Sequence, residues 1–405
     1  MRVLLVTSLL GGFAGDSGQM WHIANEFNKL GHQMDVFTSD GNVWFHDEEK
    51  SKKYESIRKK IINTNGKPIK IHDIDTYAAH CTIHKLGMYS PNLKKIARKI
   101  IKNYDLIYAI HWYNYPVMEV SKIAIKEKIP FVLGAYGSLQ HTARKINRSF
   151  EKKIIDMIYT KNLISNGAAF HSVGDLETEE YIKLGINQKK IFRIDHGIVL
   201  DDFKIKERHN IVRELGLDIQ KNKYIIFVGR LDKKKGVDIL LKAFSKNITN
   251  HKNLFLVIVG TGAKEYENEL KSLVKHLKLE EFVKFTGFVE EQEKLELLET
   301  ASLFVTASHS DVHPIAIQEA LVMGVPVIIS KASDWPEIDE YNAGITIDTN
   351  VNSVYDAIEK MLDKGTNLEE MSNNAKKLIE EKFLINKIIV KYEEMFKKII
   401  EKNKL

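Results

Sequence analysis

Short apolar runs alternate with stretches whose apolar residues recur every three or four positions, from one end of the chain to the other. In the first half the strand candidates are Val3–Thr7, Met34–Thr38, Ile69–Ile74, Leu106–Ile110, Phe131–Ala135, Ala168–Val173 and Phe192–Ile194. Between the first two, Met20, Ile23, Ala24, Phe27 and Leu30 line one helix face, and Gly31 supplies a stop. This rhythm predicts parallel strands covered by helices on both sides. It restarts at Tyr224–Val228 and continues through Leu254–Val259, Val283–Phe285, Leu303–Thr306, Val325–Ile329 and Ile345–Ile347. The polar stretch Asp201–Arg208 reads as a linker between a domain of residues 1–200 and a second of residues 209–384. Helical spacing over Leu384–Ile400 predicts a long terminal helix.

Two doubly wound α/β domains in tandem would face each other across a cleft lined by the carboxyl ends of their strands, where ligands of such sheets bind. A length of 405 residues suits two cores, and 44% hydrophobic with 28% charged residues suits a globular chain. The single cysteine, Cys81, excludes an internal disulfide framework and a zinc-cysteine cluster, which points to the cytoplasm. A net charge of +6 fits an anionic ligand, an anionic membrane or nucleic acid without choosing between them. No apolar run is long enough to span a bilayer. Met1–Leu10 reads as a buried strand rather than a signal peptide, since its apolar stretch is short and stops at Gly11-Gly12.

Several nucleotide motifs lose support. Gly260-Thr261-Gly262 has Glu265 where a dinucleotide fingerprint has its third glycine, and a plain strand-to-helix turn explains it. There is no Gly-Lys-Ser/Thr, no His-Glu-x-x-His and no Gly-x-Ser-x-Gly. What remains is GRLDKKKG, Gly229 to Gly236, directly after a strand. Arg230 and Lys235 there could hold a diphosphate and stabilise the charge that grows on it as a sugar departs, with Lys233 and Lys234 in solvent. In the second element, Ser308 to Ile329, Pro314 opens a helix and Gly324 ends it. The amides of Ile315, Ala316 and Ile317 would then offer an anion site. Asp311 and Glu319 could accept from vicinal sugar hydroxyls, or be merely a helix cap and a helix-surface acid. The third element is the loop Leu10–Gly18, with four glycines in nine residues, which lets backbone approach a ligand or merely makes a turn.

These elements, in this order, resemble glycosyltransferase family 4, retaining enzymes of the GT-B fold. FVGRLDKKKGVDILLKAF, Phe227 to Phe244, carries the most specific likeness; VIVGTGAKE, FTGFV at Phe285–Val289 and the Asp311–Glu319 segment follow. The resemblance implies a hexosyltransferase that needs no metal or other cofactor and takes a nucleoside diphosphate sugar as donor. It implies diphosphate binding by Arg230 and Lys235, ribose binding by Glu319, and sugar contact by Asp311. Val289 would meet the base, Gly15 and Gly229 would lie by the phosphates, and Ile315 and Ala316 would border them. His111 and Tyr136 become acceptor-side candidates, and the terminal helix 385–405 would pack back on the first domain. Asp311 stands where the family has glutamate, Tyr136 where many members have histidine, and His196 where they have asparagine.

The acceptor would be a glycan or lipid-linked hydroxyl in cell-surface polysaccharide or glycolipid assembly, with no role for nucleic acid. The basic stretch Asn92–Asn103 could lie on the inner membrane face as a peripheral contact, or simply cover the sheet. The rival readings are a non-catalytic sugar-nucleotide-binding relative and a sugar-nucleotide epimerase of the same fold.

Overall fold

The computed structural model describes residues 1–8, 15–40, 59–61, 64, 66–83, 89–141, 144, 149–167 and 169–404. The chain divides into two compact units, Met1–Gly197 with Ile385–Leu405, and Ile198–Leu384. Residues 10–14 of the glycine loop lie outside the described residues, as do residues 50–58 of Lys50–Lys60, a lysine-rich stretch whose sequence is as open to a membrane or a solvent reading as that of Asn92–Asn103.

The first unit carries β1 (Arg2–Val6), β2 (Gln33–Ser39), β3 (Ile69–Ile71), β4 (Ile74–Ala79), β5 (Leu106–Ile110), β6 (Phe131–Gly134), β7 (Ala169–Ser172) and β8 (Ile191–Arg193). They form one sheet in the order β3-β4-β2-β1-β5-β6-β7-β8, parallel except for the β3–β4 pair. Successive residues of a strand face opposite sides, so β1 serves two cores at once. Val3 and Leu5 join Met20, Phe27 and the terminal-helix residues Ile388, Tyr392 and Phe396. Leu4 and Val6 join Leu93, Ala97, Val117 and Val120 on the other side. The terminal helix Ile385–Lys404 belongs to this unit.

The expected strand Ile69–Ile74 is in fact a hairpin. His72 and Asp73 adopt left-handed conformations, φ 51° and 64°, and turn the chain, so Ile74–Ala79 runs back as a separate strand beside β2. The stretch Asn92–Asn103 does not present an apolar face to solvent. Leu93, Ala97 and Ile100 are buried, and Lys94 pairs with Glu119 at 2.8 Å.

The second unit carries β9 (Lys223–Val228), β10 (Leu254–Val259), β11 (Val283–Gly287), β12 (Leu303–Thr306), β13 (Val327–Ser330) and β14 (Gly344–Ile347), all parallel, in the order β11-β10-β9-β12-β13-β14. Counted from β9, this is the 3-2-1-4-5-6 order of nucleotide-binding sheets, with its switch point between β9 and β12. Ile225 and Phe227 face one core, Tyr224 and Ile226 the other. The stretch read as a linker is part of this unit, where the Lys206 amide donates to Gln292 Oε1 at 2.6 Å.

Candidate active site

At the switch point the chain leaves β9 into GRLDKKKG, whose Lys233–Lys235 forms a short 3-10 turn capped by the Asp232 carboxylate. Two neighbouring backbones press against this loop. A Cβ on Gly236, which sits at φ 66°, would lie 2.0 Å from the Ala307 carbonyl oxygen. A Cβ on Gly260 would lie 2.0 Å from that of Gly229. The glycines of Gly260-Thr261-Gly262 thus make room for the basic loop, which explains them without a dinucleotide.

Lys235 and Asp311 form an ion pair, one from each side of the switch point. Ser308 Oγ lies 3.4 Å from the same carboxylate oxygen, and the Asp311 amide donates to the Ala332 carbonyl at 3.1 Å. Asp311 is therefore not the cap of the following helix, whose N-terminal boundary is Pro314 with no side-chain cap. Arg230 is 66% exposed and only 3.8 Å from Asp232, leaving its guanidinium open to a ligand. Lys233 lies in solvent and pairs with Glu269. Lys234, expected in solvent, is half-buried instead. Burial holds its ammonium below the ordinary lysine value; Lys235 and Arg230 push the same way, and Asp311 opposes them. Three cations thus share one corner of the sheet, with more positive charge than Asp311 neutralises.

Behind them the helix Ile315–Val322 opens, with Gly324 at φ 76° after its end. Ile315 and Ala316 are half-buried in its first turn. The Ile317 amide is not free, because it donates to the Pro314 carbonyl at 3.0 Å. Glu319 is buried rather than on the helix surface. Its Oε1 takes a hydrogen bond from Lys294 Nζ at 2.8 Å, and Lys294 also reaches Glu291 at 3.0 Å. Burial raises the Glu319 carboxyl above its usual range, against the pull of Lys294. Val289 is half-buried and packs on the core beneath this helix. Nothing in the sequence marks Lys294, since its partner is 25 positions away.

In the first unit, Gly15 opens the helix Gly15–Lys29 that follows β1, and Gln19 in its second turn exchanges hydrogen bonds with the Gly197 backbone, 2.9 and 3.1 Å. His111 directly follows β5 at this sheet's switch point, and its ring meets that of Tyr136 edge-on, centroids 5.3 Å apart. Tyr136 also meets His196, at 5.1 Å. Beneath them lies a relay absent from the sequence reading. His171 Nε2 is 2.7 Å from the Ile194 carbonyl, which can only accept, so Nε2 carries the proton. Nδ1 then accepts from the Tyr108 hydroxyl at 2.8 Å, and the Tyr136 hydroxyl donates to Tyr108 at 2.9 Å. Burial lowers the His171 pKa to about 3, keeping it neutral. Glu177, also buried, accepts from the Gly137 and Val173 amides, and burial lifts its pKa to about 6. The signal that could have found His171 is a lone polar ring inside the apolar run of β7, the mark of a satisfied buried histidine.

Two family models match this chain. "Glycosyltransferase Family 4" matches residues 18–202 and "Glycosyl transferases group 1" matches residues 211–378, between them most of the chain. An uncharacterised glycosyltransferase of Methanocaldococcus jannaschii is 31% identical over 202 residues, 48% of this chain. The match spans 51% of that protein's length, so about half. The N-acetylgalactosamine-N,N'-diacetylbacillosaminyl-diphospho-undecaprenol 4-alpha-N-acetylgalactosaminyltransferase of Campylobacter jejuni is 27% identical over 72% of this chain and 76% of its own. The solved structure of HepE from Anabaena in complex with UDP superposes with a TM-score of 0.74, at 18% identity, over 98% of this chain and 100% of that one. HepE has also been solved with UDP-glucose, at a TM-score of 0.73 and 17% identity, over 98% and 100% of the two chains. With a family model on each unit and the sheet order of a nucleotide-binding fold in the second, the chain belongs to glycosyltransferase family 4 and has its two-domain GT-B fold.

Proposed function

We propose that the protein is a retaining glycosyltransferase that moves a hexosyl group from a nucleoside diphosphate sugar to an acceptor hydroxyl. The observation that carries this reading is the Lys235–Asp311 pair across the β9–β12 switch point, with Arg230 and Lys234 beside it. A site with surplus fixed positive charge suits a diphosphate, and Arg230 is open to grip it. The relatives support the donor class: HepE was solved with UDP and UDP-glucose. They also support a glycan or lipid-linked acceptor, since the Campylobacter jejuni relative is named for a diphospho-undecaprenol substrate. Cell-surface polysaccharide or glycolipid assembly in the cytoplasm is the matching role.

In the proposed reaction the acceptor oxygen bonds to the anomeric carbon on the face from which the diphosphate leaves. The bond from that carbon to the phosphate oxygen breaks, and the acceptor proton passes to a departing phosphate oxygen. Lys235 and Arg230 stabilise the charge that accumulates on the diphosphate, in place of a divalent metal ion. Asp311 holds Lys235 in position and offers its other oxygen to a sugar hydroxyl. Glu319 takes the ribose hydroxyls, with Lys294 sharing its charge. Ile315, Ala316 and Gly229 provide backbone near the phosphates, and Val289 lies by the base. His111 and Tyr136 border the acceptor.

A panel of nucleoside diphosphate sugars, each with and without glycan and lipid-linked acceptors, tests the reading. Acceptor-dependent release of nucleoside diphosphate, with the product keeping the donor's anomeric configuration, is the expected result. Binding without release under every condition identifies a non-catalytic relative. An isomerised donor or free sugar without acceptor identifies an epimerase.

A further inference from the structure

Residues Ser149–Asn166 of the first unit run as one continuous helical segment with a π-helical middle, Asp156–Thr160, between the α-helices Ser149–Ile155 and Lys161–Asn166. One face is fixed to the body of the unit. Ile155, Tyr159 and Ile164 pack against the core that contains Leu163. The Trp112 ring N–H donates to Thr160 Oγ1 at 2.8 Å. Asp156 is fully engaged, by Arg144 at 2.7 Å, by the Tyr113 hydroxyl at 2.8 Å and by Thr160 at 2.8 Å. Its charge is spent within the unit.

The opposite face is unlike any other helix surface described here. Ile154, Met157 and Ile158 are 41%, 63% and 49% exposed, and their spacing sets them side by side. Lys153 and Lys161, both exposed, stand at the two ends of this apolar trio. Lys152 is instead half-buried and turned to the fixed side, over the Tyr113 ring at 5.6 Å. Adjacent large apolar side chains in water are unfavourable, and in a soluble monomer such patches mark contact surfaces. We propose that this face, Lys153 to Lys161, docks the protein on an anionic phospholipid bilayer. Met157, Ile154 and Ile158 would sit among the headgroups and upper acyl chains, with the lysine stems along the apolar surface and their ammoniums on lipid phosphates. The pattern suits a bilayer better than a protein. Three side chains fall far short of the roughly 800 Å² per partner of a stable interface, whereas apolar insertion bracketed by cations is what a charged membrane surface rewards. No described helix is long and apolar enough to cross a membrane, so the contact would be one of surface attachment.

Vesicle binding requires neither donor nor acceptor, so the proposal stands or falls apart from the transferase reading. The full chain is floated with vesicles of phosphatidylcholine alone, and with vesicles containing about one quarter phosphatidylglycerol, at low and high salt. Flotation with the anionic vesicles, weakened by salt, is expected. Met157→Ser with Ile158→Ser, and separately Lys153→Glu with Lys161→Glu, should each lower the bound fraction about tenfold, with melting unchanged because all four side chains are exposed. The single Met157→Ser variant, at the most exposed of the three, serves if the double variant melts lower. Lack of binding to either vesicle, or undiminished binding by these variants, overturns the proposal. So does wild-type self-association that Met157→Ser abolishes, which would assign the face to a second copy of the chain.

Discussion

Lys235 and Arg230 occupy the same short loop in unlike surroundings, which separates the effects of losing each. Both should cost about 10²–10³ in turnover when replaced by alanine, if each stabilises the leaving charge. Lys235→Ala also strips Asp311 of its ammonium inside a largely buried pair, so it should lower folding stability by about 1–3 kcal/mol. Arg230 is exposed, and Arg230→Ala should leave stability within about 0.5 kcal/mol of wild type. Steady-state kinetics beside denaturant melts measures both; equal stability losses would contradict the assigned geometry. The buried Glu319–Lys294 pair makes a second contrast. Lys294→Met leaves a buried carboxylate and should cost about 3–5 kcal/mol, whereas Glu319→Gln still leaves Lys294 with Glu291 and should cost clearly less. Melts in which the order is reversed would refute this. Why the sequence misplaced Lys234 is a matter of geometry. In a 3-10 turn three successive side chains point in three directions, so a run of lysines does not say which one turns inward.

Elements were more legible than individual side chains. The runs Leu106–Ile110, Leu254–Val259 and Leu303–Thr306 are strands over those same residues, because strands buried on both faces must be apolar throughout. The run Ile69–Ile74 misled for the same reason: its apolar ends belong to two strands, and the turn depends on His72 and Asp73 in a conformation that no sequence pattern demands. Asp311 and Lys235 were legible as chemistry but not as a pair, since the sheet order that joins β9 to β12 is a tertiary fact. The loop after β9 depends on Gly236 in the same way. A methyl group there meets the Ala307 carbonyl and sits at a positive φ, so Gly236→Ala should force the basic turn away from Asp311. Lower thermal stability together with weaker protection by UDP is the expected outcome. An unchanged melting temperature would show that the loop yields without cost.

Across the whole molecule, two buried groups of the first unit give opposite responses to acid. His171 titrates near 3 in the fold against 6.5 unfolded, so the unfolded chain binds more protons between those values. Stability is therefore lost as pH falls below 6.5, by up to about 5 kcal/mol. Glu177 titrates near 6 against 4.5, so here the fold binds the extra proton, and stability rises by about 2 kcal/mol as pH falls through that interval. The first unit should weaken from pH 6.5 to 6, hold nearly level to about 4.5, and weaken again below. Glu177→Gln should remove the level stretch and leave a continuous decline, as read by hydrogen exchange on β6 and β7. A level stretch that survives in the variant would show that Glu177 is not its source.

The position of Ile385–Lys404 has a consequence for how the protein is made. A ribosome releases the strands of the first unit long before the helix carrying Ile388, Tyr392 and Phe396, which closes their apolar side. Until the codons for that helix are read, Val3, Leu5 and Phe27 lack that cover, and a chaperone would find them there. A stop codon falling between Leu384 and this helix would thus leave the second unit whole and the first one unfinished.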